Sequence, residues 1–174
     1  QNSYTTYTTQ VSKTISGNQA NMNKKFEFTF AMTKVDNRNV VFNIVSGSNE
    51  YSNAGTGFET ISLGNGESFS VYGLTVGDSF TVQETDATLT KDTYVTTITE
   101  TGQTNLADID TDNRKISVGT TAKPITKNTA FTVENKKAGT VLTAFFTTYG
   151  PYVAGLALLG GLGYAMFGKK KKNG

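Results

Sequence analysis

The chain has 174 residues, about one domain, with 16 basic and 14 acidic residues and a formal net charge of +2. Four of the basic residues are Lys169 to Lys172; without them 12 basic residues face 14 acidic ones, so the remainder offers no basic stripe for nucleic acid. Cysteine and histidine are both absent, which excludes disulfides, Cys or His metal sites and every nucleophile–histidine catalytic arrangement.

Residues 1–7 are expected as an N-terminal linker or edge strand. No apolar run near Gln1 resembles a signal peptide, so a leader is expected upstream. "TQVSKTISG", residues 9–17, then alternates as a strand does, with Val11, Lys13 and Ile15 on one face and Gln10, Ser12, Thr14 and Ser16 on the other. A lysine therefore shares the apolar face. Taken alone it reads as a side chain that snorkels out along apolar surface, because lysine is rarely buried unless paired.

After a loop at 16–24, "KFEFTFAM" (25–32) puts Phe26, Phe28, Phe30 and Met32 on one face, and "VVFNI" (40–44) offers Val40, Phe42 and Ile44. "SGSNEYSNAGTG" (46–57) reads as a loop. "LGNG" is a hairpin-type turn signal before the strand "ESFSVYGL" (67–74). "SFTVQET" (79–85) and "TYVTTIT" (93–99) are further strands, and "TGQTNLADIDTDN" (101–113) is a loop. Its "DIDTDN" begins like a calcium loop, but Asn113 and Gly119 stand where such a loop needs Gly and Glu, so it reads as solvated acidic chain with no metal. "KISVG" (115–119) and "TAFTVEN" (129–135) complete about eight strands, the pattern of an all-β sandwich or barrel.

Composition changes after Lys137. No charged residue occurs from Ala138 to Gly168, and the apolar run there is long enough for one membrane-spanning helix, expected over 149–168 with tyrosines near its ends. Lys169, Lys170, Lys171 and Lys172 follow at once, which sets a cytoplasmic tail (169–174) and places the β-rich portion outside.

Strand parity supplies a partner for Lys13. Glu84 shares its face with Phe80 and Val82, and Asn135 shares its face with Phe131 and Val133. Each polar group is costly to bury alone; together they can satisfy one another in one core.

These stretches also resemble a family. "VSKTISGNQANMNKKFEFTF", "ISLGNGESFSVYGLTVGDSFTVQETD" and "FTVENKK" before an anchor-like segment are similar to the C-terminal domain of Gram-positive pilin backbone subunits of the Cna B type, such as the streptococcal T-antigen kind. The resemblance implies a Greek-key, Ig-like β-sandwich over 8–137, with an autocatalytic intramolecular isopeptide bond between Lys13 and Asn135 assisted by Glu84. Burial disfavours a charged amine and keeps a carboxyl protonated, so Glu84 is expected to donate to the Asn135 carbonyl. The cross-link is a single turnover, so the chain is not read as an enzyme, and no cofactor is implied.

In such a family a sortase signal precedes the membrane span. Here the spacer 138–148 carries Val141, Leu142, Thr143 and Ala144, with Thr143 at the scissile position, Leu142 in place of proline and Ala144 in place of glycine. The implied partners are the membrane, a sortase and other pilin subunits, and the implied location is the cell surface, anchored to membrane or wall. The alternative reading is a ligand-binding adhesin module for host matrix or glycans, its long loops carrying the function.

Overall fold

A computed structural model of the chain describes residues 5–35, 42–53, 58–85, 94–102 and 105–139. They form eleven strands: β1 (Tyr7–Ser16), β2 (Phe26–Thr33), β3 (Phe42–Ser46), β4 (Asn49–Asn53), β5 (Phe58–Leu63), β6 (Ser68–Leu74), β7 (Ser79–Glu84), β8 (Val95–Thr101), β9 (Ala107–Asp110), β10 (Lys115–Val118) and β11 (Thr129–Lys136). One sheet has the order β4-β3-β6-β1-β11-β8 and the other β5-β2-β7-β10-β9. All strands fall within one compact unit, Gln1–Ala138.

The all-β expectation holds, and its cause is visible strand by strand. Phe26, Phe28, Phe30 and Met32 of β2 are buried at alternate positions, as are Phe80 and Val82 of β7 and Phe131 and Val133 of β11. The ring of Phe69 from the six-stranded sheet meets Phe28 and Phe30 of the other at centroid separations of 6.4 and 5.9 Å, so the two apolar faces close on each other. Each buried phenylalanine contributes about 1.5–3 kcal/mol, which is how a chain without disulfides holds two sheets together.

Several local expectations are corrected. The loop expected at 46–57 contains β4, which pairs with β3, and the loop expected at 101–113 contains β9, which pairs with β10. Strand β5 has no counterpart in the sequence reading. The "LGNG" turn is tight, with Glu67 N donating to Gly64 O at 3.1 Å, but it is not a hairpin: β5 and β6 lie in different sheets. It docks instead on β1, where Gly66 N donates to Lys13 O, Lys13 N to Glu67 O and Ile15 N to Asn65 Oδ1. Finally, Tyr7 belongs to β1, and β1 is interior to its sheet, between β6 and β11.

A second anchor lies at the turn from β6 to β7. The buried carboxylate of Asp78 accepts from Thr75 N at 2.8 Å, Thr75 Oγ1 at 2.9 Å, Val35 N at 3.1 Å and Lys34 Nζ at 2.7 Å. Among the described residues no helix is long and apolar enough to cross a membrane. The expected span 149–168, the signal-like residues Val141 to Ala144 and the tail Lys169 to Lys172 lie outside the described residues.

Candidate functional site

The three residues singled out by parity meet in the core. Lys13, Glu84 and Asn135 are 0%, 1% and 0% exposed. The snorkelling expectation for Lys13 is therefore corrected: it is among the largest fully buried side chains. Lys13 sits near the C-terminal end of β1, Glu84 closes β7 in the facing sheet, and Asn135 sits near the end of β11.

One carboxylate oxygen joins them. Glu84 Oε1 is 2.7 Å from Lys13 Nζ and accepts from Asn135 Nδ2 at 2.9 Å. Glu84 Oε2 is buried with no hydrogen-bond partner among the described residues. Two phenylalanine rings wall the amine, Phe26 at 4.5 Å and Phe28 at 5.8 Å from Nζ to centroid. Phe28 is also the cross-strand neighbour of Glu84, so β2 supplies the apolar wall beside the carboxyl.

Burial pushes the Glu84 carboxyl above the ordinary glutamate range; the charge and hydrogen bond of Lys13 and the bond from Asn135 pull the other way without cancelling it. Asp78 shows the opposite outcome. Burial raises it too, but Lys34, the Thr75 and Val35 amides and the Thr75 hydroxyl outweigh that, and its carboxyl lies below the usual aspartate range. Both are buried lysine–carboxylate pairs. A carboxylate with four donors is a settled anion and a structural clamp. A carboxyl with one unpartnered oxygen is suited to hold and pass a proton.

A fourth residue escaped the sequence reading. Thr96 of β8 is the cross-strand partner of Asn135, and its hydroxyl donates to Asn135 Oδ1 at 2.8 Å. The expected hydrogen bond from Glu84 to the Asn135 carbonyl is thus not the one found: Glu84 faces the amide nitrogen and Thr96 the oxygen. The signal in the sequence was the parity of Thr96 with Ile98, which is buried.

Above the site, Tyr94 stacks edge-on against Phe26 at 5.5 Å and its hydroxyl accepts from Asn21 N. In the acidic segment Asp108 pairs with Lys123 at 2.8 Å, and Asp110 accepts from Asn113.

A family model described as a domain of unknown function (DUF7601) matches residues 8–137. No curated protein matches the chain in sequence. Several solved structures share its fold. The major pilin of Streptococcus pyogenes is 20% identical with a TM-score of 0.60, over 77% of this chain and 48% of that one. The T3.2 major pilin of the same organism is 23% identical with a TM-score of 0.58, over 76% and 45%. A pilus-presented adhesin, Cpa, is 22% identical with a TM-score of 0.56, over 78% and 28%. The chain spans less than half the length of each, and the likeness is one of fold.

Proposed function

The chain belongs to the DUF7601 family, and from that premise and its buried triad we propose that it is a Cna B-type structural domain of a Gram-positive pilus or surface stalk, cross-linked by its own Lys13–Asn135 isopeptide bond. The observation that carries this reading is the single oxygen, Glu84 Oε1, within hydrogen-bonding distance of both the Lys13 amine and the Asn135 amide nitrogen inside an apolar core.

The chemistry balances on that oxygen. The Lys13 ammonium gives a proton to Glu84, and the freed amine attacks Asn135 Cγ, moving the carbonyl π electrons onto Oδ1. Glu84 then protonates Nδ2. The old C–N bond breaks, ammonia leaves with the electron pair, and the carbonyl re-forms. The new amide nitrogen returns its extra proton to Glu84, which ends neutral. Fixed proximity in the core replaces the cost of a bimolecular encounter.

The adhesin alternative rests on long loops. Residues 49–53 and 107–110 of those segments are paired strand, which favours the stalk. In this reading 149–168 crosses the membrane, Lys169 to Lys172 stay inside, and Val141 to Ala144 form a weak sortase signal. The test is the intact mass of the full chain after folding. A mass lower than the sequence by one ammonia, restored by Lys13→Ala, is expected; an unmodified mass in folded wild type overturns the proposal.

A further inference from the structure

We propose that Thr96 is a further catalytic residue of this cross-linking step, the hydrogen-bond donor that stabilises the charge developing on Asn135 Oδ1. The inference rests on the isopeptide reading above and adds to it a group on a fourth strand.

Amine attack on a carboxamide places negative charge on the amide oxygen and makes the amide nitrogen the leaving group. Glu84 Oε1 is already committed to the nitrogen side, at 2.9 Å from Asn135 Nδ2, and to the nucleophile, at 2.7 Å from Lys13 Nζ. An oxygen that accepts from both nitrogens turns the amide nitrogen toward itself and the amide oxygen away. The oxygen then meets the Thr96 hydroxyl at 2.8 Å, a distance suited to an oxyanion donor. Proton transfer and charge stabilisation are thereby divided between two residues on opposite sheets, Glu84 on β7 and Thr96 on β8.

The scaffold fixes the donor. Thr96 is directly opposite Asn135 in the β8–β11 ladder, between Val133↔Ile98 and Lys136↔Val95. Threonine has a stiff χ1, so its hydroxyl is held in place by the sheet. A donor already aimed at the oxygen needs no reorganisation when charge appears there. After ammonia leaves, the same hydroxyl remains bonded to the carbonyl of the new amide.

The test follows ammonia loss with time. The full chain is synthesised in a cell-free system with mild detergent, and samples are quenched in denaturant and weighed, while protease resistance of parallel samples reports folding. Wild type is expected to lose one ammonia as it folds. Thr96→Val is expected to fold and lose it about 100-fold more slowly, the scale of one lost oxyanion donor. Thr96→Ser, which keeps the hydroxyl, is expected to stay close to the wild-type rate. If Thr96→Val does not fold, the same comparison is made between Thr96→Ala and Thr96→Ser. A hydroxyl-free variant that folds and cross-links at the wild-type rate overturns the role of Thr96 and leaves the isopeptide reading intact. A folded wild type that never loses ammonia overturns the isopeptide reading itself. A merely structural Thr96 would lower the stability of the cross-linked product without changing the rate.

Discussion

Lys13 and Asn135 lie on adjacent parallel strands, offset by two residues: Lys13 pairs with Val133, and Asn135 pairs with Ile15. Two inward side chains on neighbouring strands at that diagonal are within reach of each other when one is long. Because β1 and β11 are the first and last strands among the described residues, a bond there would route tension from one end of the domain to the other, past everything between residues 13 and 135.

Removing the cross-link should therefore cost stability on the scale of a long closed loop. Asn135→Ala is expected to keep the full sequence mass and to unfold in guanidinium with about 4–5 kcal/mol less stability than wild type. Equal stability of the two proteins would show that no such loop is closed.

Glu84 should titrate apart from the exposed glutamates. Burial holds its carboxyl above the ordinary range, so the folded chain keeps a proton there that the unfolded chain has released. The stability this site contributes is greatest below the ordinary glutamate range and falls as pH rises through the raised value. Carboxyl carbon NMR is expected to show one glutamate still protonated when the rest have ionised, and Glu84→Gln should remove that signal. A Glu84 that ionises with the others would refute the assignment.

Asp78 should behave as a clamp with no part in the chemistry. Asp78→Ala leaves Lys34, itself largely buried, without its carboxylate and is expected to cost about 3 kcal/mol. Its stability contribution is present above the usual aspartate range and is lost as pH falls through the depressed value. The variant should still weigh one ammonia less than its sequence. Full mass in a folded Asp78→Ala protein would tie the two sites together.

Gly17 fixes how closely the strand ends approach. Its φ is +100°, and a Cβ there would collide with the backbone oxygen of Lys137. Gly17→Ala must push β1 and β11 apart just beyond Lys13 and Asn135. A loss of about 1–3 kcal/mol is expected from backbone strain, together with slower ammonia loss. Wild-type cross-linking kinetics in this variant would show that the end of the β1–β11 pair is not what sets the approach.

The anchor prediction turns on Leu142 and Ala144. Proline pre-bends a peptide and glycine gives the closest backbone access, so their replacement should make cleavage between Thr143 and Ala144 poor. After wall digestion most of the protein is expected in the membrane fraction, with its lysine tail intact. Release with the wall, ending at Thr143, would show that "VLTA" is a working signal.

Much of this protein is legible in the sequence because strand parity is local. A period of two puts Lys13, Glu84 and Asn135 on the same faces as Val11, Val82 and Val133 whatever those strands pair with, and the structure buries all six. What parity cannot carry is the identity of the neighbour. In β5 the apolar residues fall at 58, 61 and 63, which breaks the alternation, and Ile61 and Leu63 become core because β2 pairs beside them. The polar "NEYSN" of β4 has little strand character of its own and is strand through its ladder to β3. Thr96 shows the same limit at the site. The sequence places it on the inward face of β8, but only the β8–β11 register sets it opposite Asn135, and only the hydrogen bonds of Glu84 turn the amide oxygen toward it. Faces are decided within a strand; partners are decided by long-range pairing, which no local pattern records.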